Sequence, residues 1–75
     1  MAMIKTVYRL GGDQVITFDD VGDPLRQFDG LFAFVKERVL ENLREDAEFY
    51  IATWGQGNFD KVNKEQWLSY VRKDE

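Results

Sequence analysis

The stretch MIKTVYRLGGDQVITF, residues 3–18, decides the fold. From Met3 to Leu10 the pattern alternates, with Ile4, Tyr8 and Leu10 on one face and Lys5, Val7 and Arg9 on the other, as in a strand. Gly11-Gly12-Asp13 is a turn signal, because glycine accepts positive φ without steric cost. Gln14 to Phe18 then returns, with Ile16 and Phe18 on one face and Val15 and Thr17 on the other. The pattern predicts a β-hairpin.

Beyond it, Asp19-Asp20-Val21-Gly22-Asp23 reads as a loop, and Asp23-Pro24 as a helix start, with aspartate as cap and proline at the first helical position. Leu25, Phe28, Phe32, Val35, Val39 and Leu43 recur at spacings of three and four, predicting an amphipathic helix to about Arg44. Asp29-Gly30 interrupts it. Glycine costs about 1 kcal/mol against alanine inside a helix, so the alternative is a single turn, a bend, and a main helix from 30 to 45. Leu31-Phe32-Ala33-Phe34-Val35 runs right round a helix, since successive residues lie about 100° apart. Phe34 therefore needs cover from the C-terminal segment or from another subunit.

Glu48 to Trp54 predicts a third strand, with Phe49, Ile51 and Thr53 pointing one way and Tyr50, Ala52 and Trp54 the other. Gly55-Gln56-Gly57-Asn58 is a loop, and Phe59 to Val62 a short strand or extended segment. The last helix is signposted by Asn63 as cap, Gln66 three residues on as in a capping box, and Val62 with Trp67 as a hydrophobic staple. Trp67, Leu68 and Val71 form its apolar side, with Tyr70 at one edge. The order is β-β-α-β-(β)-α over a single domain, residues 1–75. This is an α+β fold: a small antiparallel sheet of a hairpin plus a third strand, with room for a short fourth, packed by one long helix and a short C-terminal one.

Composition narrows the chemistry. A chain of 75 residues buries only about 60 % of the surface its unfolded form exposes. It has no cysteine, which excludes disulfides and thiolate metal sites, and no histidine, which leaves only carboxylates for zinc or iron. No metal and no cofactor is expected. The absence of cysteine suits the cytoplasm. No apolar run approaches a membrane span, and no signal peptide is evident at the N-terminus. Fourteen acids against ten bases give a net charge of −4, which disfavours non-specific nucleic-acid binding because that depends on neutralising phosphates.

The usual nucleophilic triads and dyads cannot be built without histidine or cysteine, and Ser69 stands alone in the terminal helix. Carboxylate-only catalysis needs a cleft that a domain this small rarely encloses. The chain reads as a non-enzyme with no evident small-molecule substrate. Asp19, Asp20 and Asp23 lack EF-hand spacing and read first as loop solvation and helix caps. Gly55-Gln56-Gly57 lacks the further glycine or lysine of a phosphate loop.

The aromatic residues remain. Phe18, Phe28, Phe32, Phe49, Ile51 and Val35 are the expected core. If Phe49 and Ile51 face the long helix, Tyr50 and Trp54 lie on the sheet's other face, which a short helix bearing Trp67 and Leu68 covers incompletely. Either Phe34 or Tyr50 and Trp54 should then stay partly exposed, and exposed apolar patches mark interfaces. The expected function is a small acidic protein-binding domain (adaptor, regulator or inhibitor) bound to another protein or to itself as a homodimer. Such chains are common among inhibitors encoded by phages and other mobile elements. The expected contact residues are Tyr50, Trp54, Phe59, Tyr70, Phe34, Asp19 and Asp20. The alternative is a nucleic-acid-related role, by acidic mimicry of DNA or by weak binding through Lys5 and Arg9.

Overall fold

In the computed structural model, which describes residues 3–11, 13–52 and 59–70, the hairpin forms as its alternation predicts. Strand β1 (Ile4–Arg9) pairs antiparallel with β2 (Gln14–Phe18), Tyr8 lying opposite Ile16 and Arg9 opposite Val15. The turn closes through the Leu10 N–H donating to the Gln14 carbonyl at 2.7 Å and the Asp13 N–H to the Leu10 carbonyl at 2.9 Å. Asp13 has φ of 70°, a left-handed conformation that aspartate tolerates better than most side chains. The facing differs at the start of β1. Ile4 turns inward with Val7 and Arg9, because the register shifts between Ile4 and Thr6.

No helix starts at Asp23-Pro24. Pro24 instead forms an isolated antiparallel bridge with Phe18, and only a 3₁₀ turn, Arg26–Phe28, precedes Asp29. The cause is Thr17, which is fully buried and whose polar groups must find partners. Its N–H donates to Asp29 Oδ1 at 2.8 Å, and its hydroxyl lies 2.9 Å from the Leu25 carbonyl oxygen and 3.0 Å from the same carboxylate. The Leu25 N–H donates back to the Thr17 carbonyl at 2.9 Å. The segment therefore runs along the edge of β2, and Gly30–Leu31 forms a two-residue strand, β3, opposite Val15 and Gln14. The turn-and-restart alternative is thus the closer of the two sequence readings.

Helix α1 (Phe32–Glu41) follows, and its first N–H, from Phe32, donates to the Asp13 carbonyl at 2.9 Å. It ends three residues earlier than its periodicity predicts. Asn42 donates its side-chain amide to the Arg38 carbonyl at 2.8 Å, while its own carbonyl accepts the Met3 and Ile4 N–H groups, each at 2.8 Å. That pins the chain to the start of β1, and Leu43 opens a ten-residue strand, β4 (Leu43–Ala52), longer than the sequence suggests.

Because α1 carries the chain back across the sheet, β4 lies parallel to β1, with Val7 opposite Phe49 and Tyr8 opposite Tyr50. The five-stranded sheet has the order β3-β2-β1-β4-β5 and is mixed, where all-antiparallel pairing is the simplest expectation. Strand β5 (Phe59–Val62) returns antiparallel to β4 at the edge. Helix α2 (Lys64–Ser69) carries the expected capping box: Asn63 Oδ1 accepts the Gln66 N–H at 2.7 Å, and Gln66 Oε1 accepts the Asn63 N–H at 3.1 Å. Trp67 is wholly buried against Phe32, edge to face at 4.7 Å between centroids, and against Phe49 at 5.2 Å. Both helices thus serve one core on one face of the sheet, with Ile4, Val7, Val15, Phe28, Val35, Val39 and Ile51 completing it.

Gly30 has φ of +146°, and a Cβ there would stand 3.1 Å from Val35 Cγ1. Gly30→Ala is expected to destabilise the domain by about 1–3 kcal/mol through backbone strain, read as a lower urea midpoint with an unchanged m-value.

Candidate functional site

Strand alternation puts Val7, Val15, Phe49 and Ile51 under the helices and leaves Tyr8, Phe18, Tyr50 and Phe59 on the opposite face. These four rings form one cluster. Tyr8 is its hub, 5.5 Å from Phe18 edge to face, 5.1 Å from Tyr50 and 4.9 Å from Phe59, centroid to centroid. Phe59 belongs to β5 and Tyr8 to β1, two strand spacings or about 9–10 Å apart. The ring can reach because Ala52, directly opposite Phe59 on the strand between, is small. Beside the cluster a hollow of about 250 Å³ is lined by Thr6, Tyr8, Phe18 and Gly22. Among the described residues no helix crosses this face. Phe59 is 52 % exposed, and Val21, next to the hollow's Gly22, is 79 % exposed.

Polar groups frame the rings. The Tyr50 hydroxyl donates to Glu48 Oε1 at 3.0 Å, and Lys61 Nζ lies 3.7 Å from Glu48 Oε2. The hydrogen bond to Glu48, aided by partial desolvation, raises the Tyr50 phenol above its ordinary value. At the far end, Asp20 pairs with Arg44 at 2.8 Å, Arg44 with Asp46 at 3.1 Å, and Asp46 with Lys5 at 3.1 Å. The bond from Lys5, with Arg44 nearby, holds the Asp46 carboxyl below the usual carboxylate range.

Of the residues expected from sequence, Tyr50 and Phe59 stand together in this site. Asp19 shapes the loop, its Oδ1 accepting the Val21 and Asp23 N–H groups at 3.0 and 2.8 Å. Asp20 joins the charged chain through Arg44. Phe34 is 75 % exposed but sits on α1, on the helical side of the domain. Tyr70 lies on that side too, partly buried against the core with its ring 5.3 Å from the Arg9 guanidinium. Trp54 and the Gly55–Asn58 loop fall outside the described residues. Tyr8 and Phe18 complete the cluster and were not expected there; Phe18 belongs to the open face and not to the core. The signal for both was the hairpin itself, since burying Val15 and Thr17 forces Phe18 outward.

The surface imagined around Lys5 and Arg9 is not formed. Lys5 is engaged by Asp46, and Arg9 is 3 % exposed. The Arg9 guanidinium carbon lies 4.8 Å from the Phe32 ring centroid, close to Tyr70, and the group is paired with the Asp13 carboxylate. A buried guanidinium demands this company: removing one partner of a buried ion pair costs about 3–5 kcal/mol.

Comparison with known proteins finds no matching family model, no matching curated protein and no matching solved structure. The candidate site therefore rests on its own geometry.

Two measurements probe these arrangements. Asp13→Ala should cost about 2–4 kcal/mol in chemical denaturation, because it strands the Arg9 charge and places alanine at positive φ; Asp13→Asn, which tolerates that φ, should cost less. Tyr50 should ionise at higher pH than a free tyrosine, seen as ultraviolet absorbance lost from the titration of Tyr50→Phe. A raised folded-state value means that this bond supports folding fully below the ordinary tyrosine range and stops doing so as pH rises through the raised value. Glu48→Gln should bring the ionisation back down.

Proposed function

We propose that this chain is a small non-enzymatic protein-binding domain, an adaptor, regulator or inhibitor, that engages its partner with the open face of its sheet. The observation that carries this reading is the cluster of Phe18, Tyr8, Tyr50 and Phe59, spread over four strands and left without a covering helix among the described residues. Large rings are the commonest anchors of protein interfaces, where a rigid aromatic body contributes area at little entropic cost. The preformed face needs no rearrangement to bind, which keeps the ordering cost of association low.

The surroundings suit a protein partner. The hollow between Thr6, Tyr8, Phe18 and Gly22 is sized for one apolar side chain, and the exposed Val21 stands at its edge. The Glu48–Lys61 pair and the Asp20–Arg44–Asp46–Lys5 chain form the polar rim such interfaces have. A net charge of −4 favours a partner with a basic surface around its contact patch. The lack of histidine and cysteine supports binding over catalysis.

The test is affinity capture from the native host, with partners quantified by mass spectrometry. Tyr8→Ala and Phe59→Ala should each reduce the captured partner by about tenfold or more, whereas Phe34→Ala on the helical side should leave it unchanged. Equal capture by all three folded variants would move the binding site off the sheet.

A further inference from the structure

Strand β5 is an edge. Among the described residues it pairs only with β4, leaving its outer backbone groups free, and three of its four residues, Phe59, Asp60 and Lys61, are exposed. An unpaired edge is a template for another strand. The side chains say which strand fits.

A second copy of the chain does not. Two copies of β5 joined antiparallel about a two-fold axis keep their faces aligned only if each residue meets one of the same parity. Two such registers overlap three residues of the strand. One sets Asp60 against its own symmetry mate, with Phe59 against Lys61; the other sets Lys61 against its mate, with Asp60 against Val62. Each opposes like charges at the centre, which destabilises a strand pair. The alternation of acid and base that forbids self-pairing is also an address. Lys61 lies on the open face with Phe59, and Asp60 on the helical face with Val62.

We propose that β5 accepts an extended segment of a different polypeptide as a sixth, antiparallel strand. This rests on the reading of the chain as a protein-binding domain. The incoming strand carries an apolar residue opposite Phe59, a basic one opposite Asp60, an acidic one opposite Lys61 and a β-branched one opposite Val62. Backbone hydrogen bonds supply the attachment and the crossed charges its register. The added strand lies against the open flank of Phe59, extending the aromatic face sideways, so one partner can hold both face and edge.

The test uses isotope-labelled protein and two synthetic peptides with common flanks, one with the core Val-Glu-Lys-Phe and the other Val-Lys-Lys-Phe. The first should shift the amide resonances of residues 59–62 and bind about fivefold tighter than the second. General attraction of the more basic peptide to an acidic protein works against that order. Lys61→Glu should reverse the preference. Light scattering should find the wild-type chain free of β5-mediated dimers, whereas Asp60→Thr with Lys61→Thr should self-associate. Equal affinities, no binding of either peptide, shifts confined to other residues, or a double variant that stays monomeric would each overturn the proposal. Lys61→Glu leaves the four rings intact, so failure at the edge is separable from failure of the aromatic face, which Tyr8→Ala, on β1 and away from the edge, reports.

Discussion

A guanidinium buried at the end of the sheet's central strand is the most demanding constraint on this chain. Desolvating such a group costs several kcal/mol even after relaxation, so its surroundings must be assembled as a set. Arg9 comes from β1 and its counter-ion from the hairpin turn at Asp13. The rings that flank it come from the first residue of α1 and from Tyr70 at the end of α2. The same Asp13 that neutralises the charge also offers its carbonyl to the first N–H of α1. Hairpin tip, the start of α1 and the end of α2 are thereby brought to one point.

Thr17 plays the corresponding part along the opposite edge. A buried hydroxyl and an outward backbone N–H at the last turn of β2 are both answered by Asp29 and Leu25. That requirement outweighs the helical periodicity of residues 25–29. With Thr17 and Val15 committed inward, Phe18 and Ile16 face the other way, and the sheet acquires two unlike sides. One is closed by Phe32, Val35, Val39 and Trp67; the other gathers rings.

Much of this was legible in the sequence, and the exceptions have one cause. The hairpin, the amphipathic stretch centred on Phe32–Val39 and the Asn63–Gln66 cap are local patterns, and each appears where its pattern lies. What could not be read was long-range. Asp29 is an ordinary helix-capping residue until its partner twelve positions away is known. Arg9 looks like a surface cation until Phe32, Tyr70 and Asp13 close round it. Asn42 ends α1 because it holds the start of β1, a contact no window of sequence contains. The candidate site was half legible for the same reason. The facing of β4 places Tyr50 and the hairpin places Tyr8 and Phe18 on the same side of their strands, whereas bringing the two groups together required the parallel pairing of β1 with β4.

That parallel pair has a consequence for how the chain comes to be folded. The central strand of the sheet and its parallel neighbour belong to opposite halves of the sequence, and the indole that seals the core against Phe32 and Phe49 stands at position 67. A chain emerging from the ribosome can form its hairpin early, but that hairpin alone has no second layer to bury Val7 and Val15. The nascent protein must hold its aromatic residues in water until Trp67 has emerged to pack on Phe32 and Phe49. Folding is then a single late event dominated by distant contacts, the regime in which folding is slow, and the interval before it is when these rings are open to every neighbour in the cell.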